Sequence, residues 1–327
     1  MSTRAEVSGL GGAARELVPL FANLVQRGAV FFALGLLIVA TLAIEPRLLS
    51  ADGIALLLRQ VSAIALVALG QTIVMLVRGI DLSVGSVVGV VNWTAAGLLA
   101  GSGGDVWVIP LCIALGLGIG AISGLGVAGL GLPPFVMTLG MLFAVQGGGL
   151  TVTGGVAEGS PSPFLRGIVS ETIVVLPVSF VLVLAFYAAG YAVLRRGVYG
   201  RWVYAVGANP RAAHVGGVPV KRTLMVAYMA SGALAACGGL IWTGFIGSAQ
   251  ITAGRGFEFE SIAAAAIGGT ALTGGRGGVM GTLGGVLFLG LLFNLLVVVG
   301  VDESFRRVLS GATIVIAAAL YSWKASR

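Results

Sequence analysis

The stretch VWVIPLCIALGLGIGAISGLGVAGLGLPPFVMTLGMLFAVQGGGLTVTGGVA, residues 106–157, runs for 52 residues without a charged side chain. A helix needs roughly 17–25 mostly apolar residues to cross the hydrocarbon core of a bilayer, so this stretch is too long for one crossing and long enough for two. Gly129-Leu-Gly-Leu-Pro-Pro134 interrupts it where a turn is needed. Proline there removes a backbone donor and clashes with the preceding helical turn. The same reading along the chain gives charge-free intervals at 28–44, 60–77, 82–104, 172–194, 223–254, 261–275, 277–301 and 308–323. With two crossings in 106–157, these intervals predict an all-α integral membrane protein, a polytopic bundle of about ten spans. Composition agrees: 57% hydrophobic and 9% charged residues with a mean hydropathy of +1.05, where soluble domains carry roughly 25% charged residues.

Lys and Arg are retained on the cytoplasmic side of short loops. With both termini inside, that side holds Arg4, Arg15, Arg27, Arg78, Arg276, Lys324, Arg327 and the six basic residues of the 195–222 loop, whereas nine acids, including Glu158, Glu171, Glu258 and Glu260, fall outside. The expected organisation is a cytoplasmic segment 1–27, a membrane domain 28–323 interrupted by the basic loop 195–222, and a tail 324–327. The first apolar stretch starts only at Gly28 and has no small-residue cleavage site behind it, so the first span is expected to be retained. The net charge of +7 then reflects topology and contact with anionic lipid, and no nucleic-acid partner is expected.

Glycine is abundant, at 54 residues, and part of it is periodic. Gly116, Gly120 and Gly124, and again Gly277, Gly281 and Gly285, recur at every fourth position, the spacing that lets helix backbones approach closely in lipid. Two segments look irregular, 78–85 between two spans with almost no loop and 268–278 at the end of a short interval. Non-helical backbone at membrane depth is tolerated only when buried in protein or lining a wet cavity. Both segments are therefore candidates for a substrate path, and both are also compatible with tight interhelical turns.

The chemistry that is missing narrows the function. There is no phosphate-cradling Gly-x-x-x-x-Gly-Lys-Ser/Thr, and Gly124-Leu-Gly-Val-Ala-Gly129 lies at the end of an apolar span with no strand before it. The single histidine, His214, sits in the basic loop, and no cluster has metal-ligand spacing. No metal site, cofactor or catalytic residue is expected in this chain. Ion-coupled carriers keep ionisable groups inside the membrane, and here Asp81 is the only acid near a span interior, where it reads as a helix N-cap. Energy for uphill transport is expected from a separate ATPase acting on the long basic loop. The polar residues within spans are mostly neutral, and with nearby aromatics they suit a polyhydroxylated ligand. Gln71, Asn92, Trp93, Phe135, Thr138, Gln146 and Asn294 are the candidates for a substrate path, although such residues also hold helices together in lipid. An ion-coupled secondary carrier and a passive channel are the rival readings.

Four stretches carry a family resemblance: Arg78-Gly-Ile-Asp-Leu-Ser-Val-Gly-Ser86, Leu132-Pro-Pro-Phe-Val-Met-Thr-Leu-Gly140, Tyr204-Ala-Val-Gly-Ala-Asn-Pro-Arg-Ala-Ala213 and Gly268-Gly-Thr-Ala-Leu-Thr-Gly-Gly275. In order and spacing, over roughly residues 55–320, they resemble bacterial ribose/xylose-type ABC transporter permeases. Arg78 departs from the pattern, which usually has a small residue there. The resemblance implies a multi-pass bacterial inner-membrane subunit that imports a monosaccharide or similar small polyol, with nucleosides and other small solutes as alternatives. Its implied partners are ABC ATPase subunits carrying ATP and magnesium, a periplasmic sugar-binding protein docking near 155–171 and 247–258, and a second permease copy or paralogue. It also implies that Asn209, Pro210, Arg211, Ala212, Ala213, Gly216 and Gly217 form a short helix fitting a groove on the ATPase. Asn209 as cap and Pro210 in the first turn support that helix on physical grounds, and Ala212 and Ala213 are expected to offer it a low-relief surface.

Overall fold

The computed structural model describes residues 28–97 and 105–302, with a few positions up to 312. The expected segments 1–27 and 324–327, and most of the last expected span, 308–323, lie outside the described residues. The described chain is a helical bundle: α1 Gly28–Ile44, α2 Ala51–Leu76, α3 Val84–Gly97, α4 Asp105–Ala128, α5 Pro134–Thr153, α6 Pro163–Ser170, α7 Val178–Arg196, α8 Val198–Ala208, α9 Pro210–Val215, α10 Val220–Ile246, α11 Phe257–Ile267 and α12 Val279–Val298. A two-residue hairpin, Thr172–Ile173 with Leu176–Pro177, joins α6 to α7. Six helices, namely α2, α4 from Trp107, α5, α7, α10 and α12, are long and apolar enough to cross a membrane. The uncharged interval 106–157 resolves into α4 and α5, and the chain turns at Gly131, whose φ of +71° only glycine adopts at no steric cost.

Charges mark span limits imperfectly. Helix α2 starts at Ala51, not after Arg59, and carries Asp52 and Arg59 within it. Asp52 lies in its first turn, where the helix dipole favours an acid, and the Arg59 guanidinium donates to the Ser170 carbonyl at the end of α6 (2.7 Å).

The periodic glycines are contact surfaces. A Cβ at Gly116 or Gly120 would collide with the backbone of α10 at Gly232 or Tyr228, and one at Gly281 or Gly285 with the Gly268 or Ala264 carbonyl of α11. Lipid supplies no hydrophobic drive for helix association, so this close approach, with its dispersion contacts, is what binds the pairs. Helices α2 and α10 form the centre, with Leu66, Val67, Tyr187, Tyr228 and Ala235 fully enclosed.

Helix α11 is half-length: at about 1.5 Å per residue it spans roughly 16 Å, short of the roughly 30 Å hydrocarbon core. Irregular backbone precedes both α3 and α11. Segment 77–83 turns back from the end of α2 to start α3 inside the protein, and Asp81, Leu82 and Ser83 are buried. Segment 247–256 descends beside α3, with Gly89 against the Ile251 carbonyl and Gly85 against that of Gly254, before α11 begins. Segment 78–85 is thus a buried break, whereas 268–278 is a half-exposed turn.

Candidate functional site

The arm α8–α9 stands at the end of the bundle where α2 and α11 also finish. Asn209 caps α9: its side-chain oxygen accepts from the Arg211 and Ala212 N–H groups at 3.0 and 3.1 Å, and Pro210 occupies the first turn. The helix closes on Gly217, φ +79°, with the Val218 N–H donating to the Ala213 carbonyl at 2.9 Å. Arg211, Ala212, His214, Gly216 and Gly217 are exposed, and Val215 is 88% exposed. Ala213 corrects the expectation: it is buried in the core. Successive helical residues are about 100° apart, so the two alanines cannot share one outer face.

The arm is joined to both irregular segments near it. The Arg78 guanidinium donates from Nε to the Gly207 carbonyl (2.7 Å) and from Nη2 to the Ala208 carbonyl (2.6 Å), groups in the last turn of α8 that lack helical partners. The Gly275 N–H donates to the Leu76 carbonyl at 2.9 Å, and Gly207 nests between those two groups, where a Cβ would strike both. The Tyr204 hydroxyl donates to the Gly277 carbonyl at 3.0 Å. Burial pushes that hydroxyl above the usual tyrosine range, against the opposing charge of Arg195.

The candidate path residues fall into two groups. Gln71, Thr138 and Asn92 are committed to bracing irregular backbone. The Gln71 amide pairs with the Asp81 backbone, its nitrogen donating to the carbonyl (3.0 Å) and its oxygen accepting from the N–H (3.3 Å), in the orientation the network requires. The Thr138 hydroxyl faces the Ile80 carbonyl at 3.1 Å. Asn92 accepts from the Gln250 N–H (2.6 Å) and donates to the Ser248 carbonyl and the Thr243 hydroxyl (3.2 Å each), pinning the top of the descending segment. Asp81 is not the cap of α3: Ser83 holds that place, its carbonyl accepting from the Val87 N–H. Asp81 Oδ1 instead accepts from the Ser83 N–H (3.1 Å) and hydroxyl (2.5 Å). Glu258, expected among the outer acids, is buried against Gly85 and accepts from the Gly256 N–H at 3.1 Å. It too satisfies backbone that has no helical partner.

The second group remains open to solute or lipid. Asn294 donates to Gln60 Oε1 at 3.0 Å, and Gln60 lines a cavity of about 230 Å³ with Trp242, Arg255, Phe257, Glu260 and Phe293. Trp242 is fixed there by stacking on Phe245, centroids 5.3 Å apart, and by donating from Nε1 to the Ala253 carbonyl at 2.7 Å. A neutral amide, two charged groups and aromatic faces are a set that can hold a hydroxylated ring. Gln60, Arg255 and Phe293 were not singled out in the sequence, because they come from three elements that only the fold brings together. Trp93 approaches Gly149 of α5, Gln146 is half-buried, and Phe135 is 52% exposed on the outer face of α5.

At the opposite end of the bundle, the Ala249 N–H donates to the Gly159 carbonyl at 3.0 Å, so the start of segment 247–256 and the loop before α6 form one surface. Along it, residues 253, 254, 257 and 258 are buried, whereas Gln250, Thr252, Arg255 and Phe259 are exposed.

Comparison with known proteins gives this arrangement a family. Ribose import permease protein RbsC of Haemophilus influenzae is 34% identical over 293 residues, covering 88% of this chain and 90% of that protein. Autoinducer 2 import system permease protein LsrC of Klebsiella pneumoniae is 38% identical, covering 82% and 78%, and fructose import permease protein FrcC of Rhizobium meliloti is 35% identical, covering 84% and 79%. No solved structure gives a significant match. The family described as branched-chain amino acid transport system / permease component matches residues 53–318, from α2 through the end of the described bundle, and this multi-pass membrane protein belongs to it.

Proposed function

We propose that the chain is the membrane-spanning subunit of an ATP-driven, binding-protein-dependent importer of a monosaccharide or similar small polyol. The observation that carries this reading is the exposed α8–α9 arm, basic and free of acids, tied by hydrogen bonds to the buried break after α2 and to the turn after α11. A load applied to such an arm reaches the interior. The relatives named for ribose and fructose import supply the substrate class.

In this reading the α9 end is cytoplasmic, both termini lie on that side, and the membrane is the bacterial inner membrane. ATP and its magnesium ion sit on the partner ATPase, which receives Arg211, Ala212 and His214 in a groove. A sugar-binding protein lands on the surface joined by Gly159 and Ala249, and a second permease copy or paralogue completes the transporter. Nucleotide on the ATPase biases a two-state equilibrium between cavity openings. The cavity at Gln60, Trp242 and Phe293 holds the sugar, with rings against its C–H face and the Gln60 amide on its hydroxyls.

The test is reconstitution with the ATPase and binding protein in proteoliposomes, using labelled D-ribose and D-fructose. The expected result is accumulation that requires ATP, together with loss of ATPase retention in Arg211→Glu. Accumulation by the purified chain alone under a proton or sodium gradient would establish the secondary carrier instead.

A further inference from the structure

We infer that Arg78 is the strut that carries movement of the α8–α9 arm into the buried break at 77–83. It is a positioning residue for energy coupling, and the inference rests on the proposal that an ATPase docks on α9. Four helices, α2, α9, α11 and α12, end in the same backbone motif, in which the second residue past the helix is left-handed, Gly300 (φ +84°) in α12. In α9 that residue is Gly217 (φ +79°) and in α11 it is Gly269 (φ +87°). In α2 it is Arg78 (φ +67°), with the motif's two hydrogen bonds intact: Arg78 N–H to the Met75 carbonyl at 3.0 Å and Gly79 N–H to the Val74 carbonyl at 2.9 Å. A side chain in that conformation carries a steric penalty that glycine avoids. The backbone therefore does not call for arginine, and the reason for it lies in what its side chain does.

The side chain crosses to another element. Its Nε and Nη2 reach the final carbonyls of α8, a bidentate, charge-assisted grip at the negative end of a helix dipole. The guanidinium is a planar fork, so it transmits displacement and orientation where an ammonium acts as a point charge. Its stem packs on Gly274, where a Cβ would collide with Arg78 Cγ. On one side of the grip, Ala208 is followed directly by Asn209, the cap of α9. On the other, Asp81 follows three residues after Arg78, and Gln71 and Thr138 hold Asp81 and Ile80 in place. The path from the exposed arm to the buried break is thus a few covalent and charge-assisted links, and its one side chain, that of Arg78, is held by the packing of its stem on Gly274. The separate Tyr204–Gly277 hydrogen bond and the close packing of Gly207 on Leu76 and Gly275 keep the arm seated without Arg78, so holding the arm and transmitting its motion are separable.

Arg78→Gly tests this, because glycine fits φ +67° better than arginine does and the fold is not the casualty. In proteoliposomes with ATPase and binding protein, and labelled D-ribose and D-fructose as probes, R78G should retain ATPase on purification and hydrolyse ATP. Sugar accumulated per ATP hydrolysed should fall roughly tenfold, within the usual range of coupling free energies. Arg78→Lys, which keeps the charge and loses the fork, should lie between. An unchanged ratio in R78G overturns the inference. So does a parallel fall of hydrolysis and uptake with a lowered melting midpoint in both variants, which marks a purely structural arginine. Failure of the unaltered chain to retain any ATPase removes the docking proposal itself, and that result is distinct from either.

Discussion

Replacing Gly207 by Ala adds one methyl group at the tightest point of the seam between the α8–α9 arm and the bundle. The new Cβ meets the Leu76 carbonyl and the Gly275 N–H, both backbone atoms bonded to each other at 2.9 Å, so no side chain can swing aside. Overpacking of this kind costs about 1–3 kcal/mol, and parting the Gly275–Leu76 hydrogen bond adds about 0.5–1.5 kcal/mol, for a total of about 1.5–4.5 kcal/mol. Gly216→Ala is the matched control: its Cβ meets nothing nearer than 3.4 Å and its φ is −75°, so its effect stays within about 0.5 kcal/mol. Intrinsic tryptophan fluorescence on heating, in detergent, reads both. The G207A midpoint should drop by several degrees while G216A tracks the unaltered protein. Equal midpoints for the two variants would refute the close-packed seam.

Asn92→Leu strands the Gln250 N–H and the Ser248 carbonyl, at about 1–3 kcal/mol per group, while the Thr243 hydroxyl keeps its bond to the Gly239 carbonyl; limited proteolysis should cut within 247–256, and lost flux with full stability would contradict this. Gln60→Leu keeps Asn294 bonded to the Gly290 carbonyl but removes an amide from the cavity, so the half-saturating sugar concentration for uptake should rise about fivefold, one neutral hydrogen bond's worth, with ATPase retention unchanged. Tyr204→Phe loses the bond to Gly277, about 1 kcal/mol. Because the folded hydroxyl titrates above the unfolded value near 10, folding favours the protonated form, and stability falls as pH rises past about 10. Thermal midpoints between pH 9 and about pH 11 should show that fall in the unaltered protein and less of it in Y204F.

Helix class, the division of 106–157 and the Asn209-capped helix were legible because each rests on local chemistry: charge-free length, a Gly/Pro break, a cap with its proline. The glycine periods were legible for the same reason, since a four-residue repeat marks one helix face. What sequence could not separate was polar residues serving substrate from polar residues serving backbone. Gln71, Asn92 and Thr138 have the right chemistry for a sugar, yet each is opposite non-helical backbone whose groups find no water in a bilayer, and that need takes them first. Glu258 went astray similarly, because a charge count places every acid at a surface. Ala213 was misplaced by reading a pair of alanines without the helical angle between them. The cavity was invisible for a different reason, being assembled from α2, α10, α11, α12 and the descending segment.

The hydrogen bond between Asn92 and Gln250 joins residues 158 positions apart, and the Arg78 grip spans about as much chain. During synthesis, therefore, α3 and the break before it enter the bilayer long before the residues that complete them exist. The N-terminal half waits as an unfinished intermediate with its Asp81 turn only half enclosed, and α10 and α11 arrive as its missing walls. Loop closure over such separations is slow relative to helix formation. Assembly of this subunit is thus timed from its C-terminal half, and a truncation after α9 would leave membrane helices in place with no working interior.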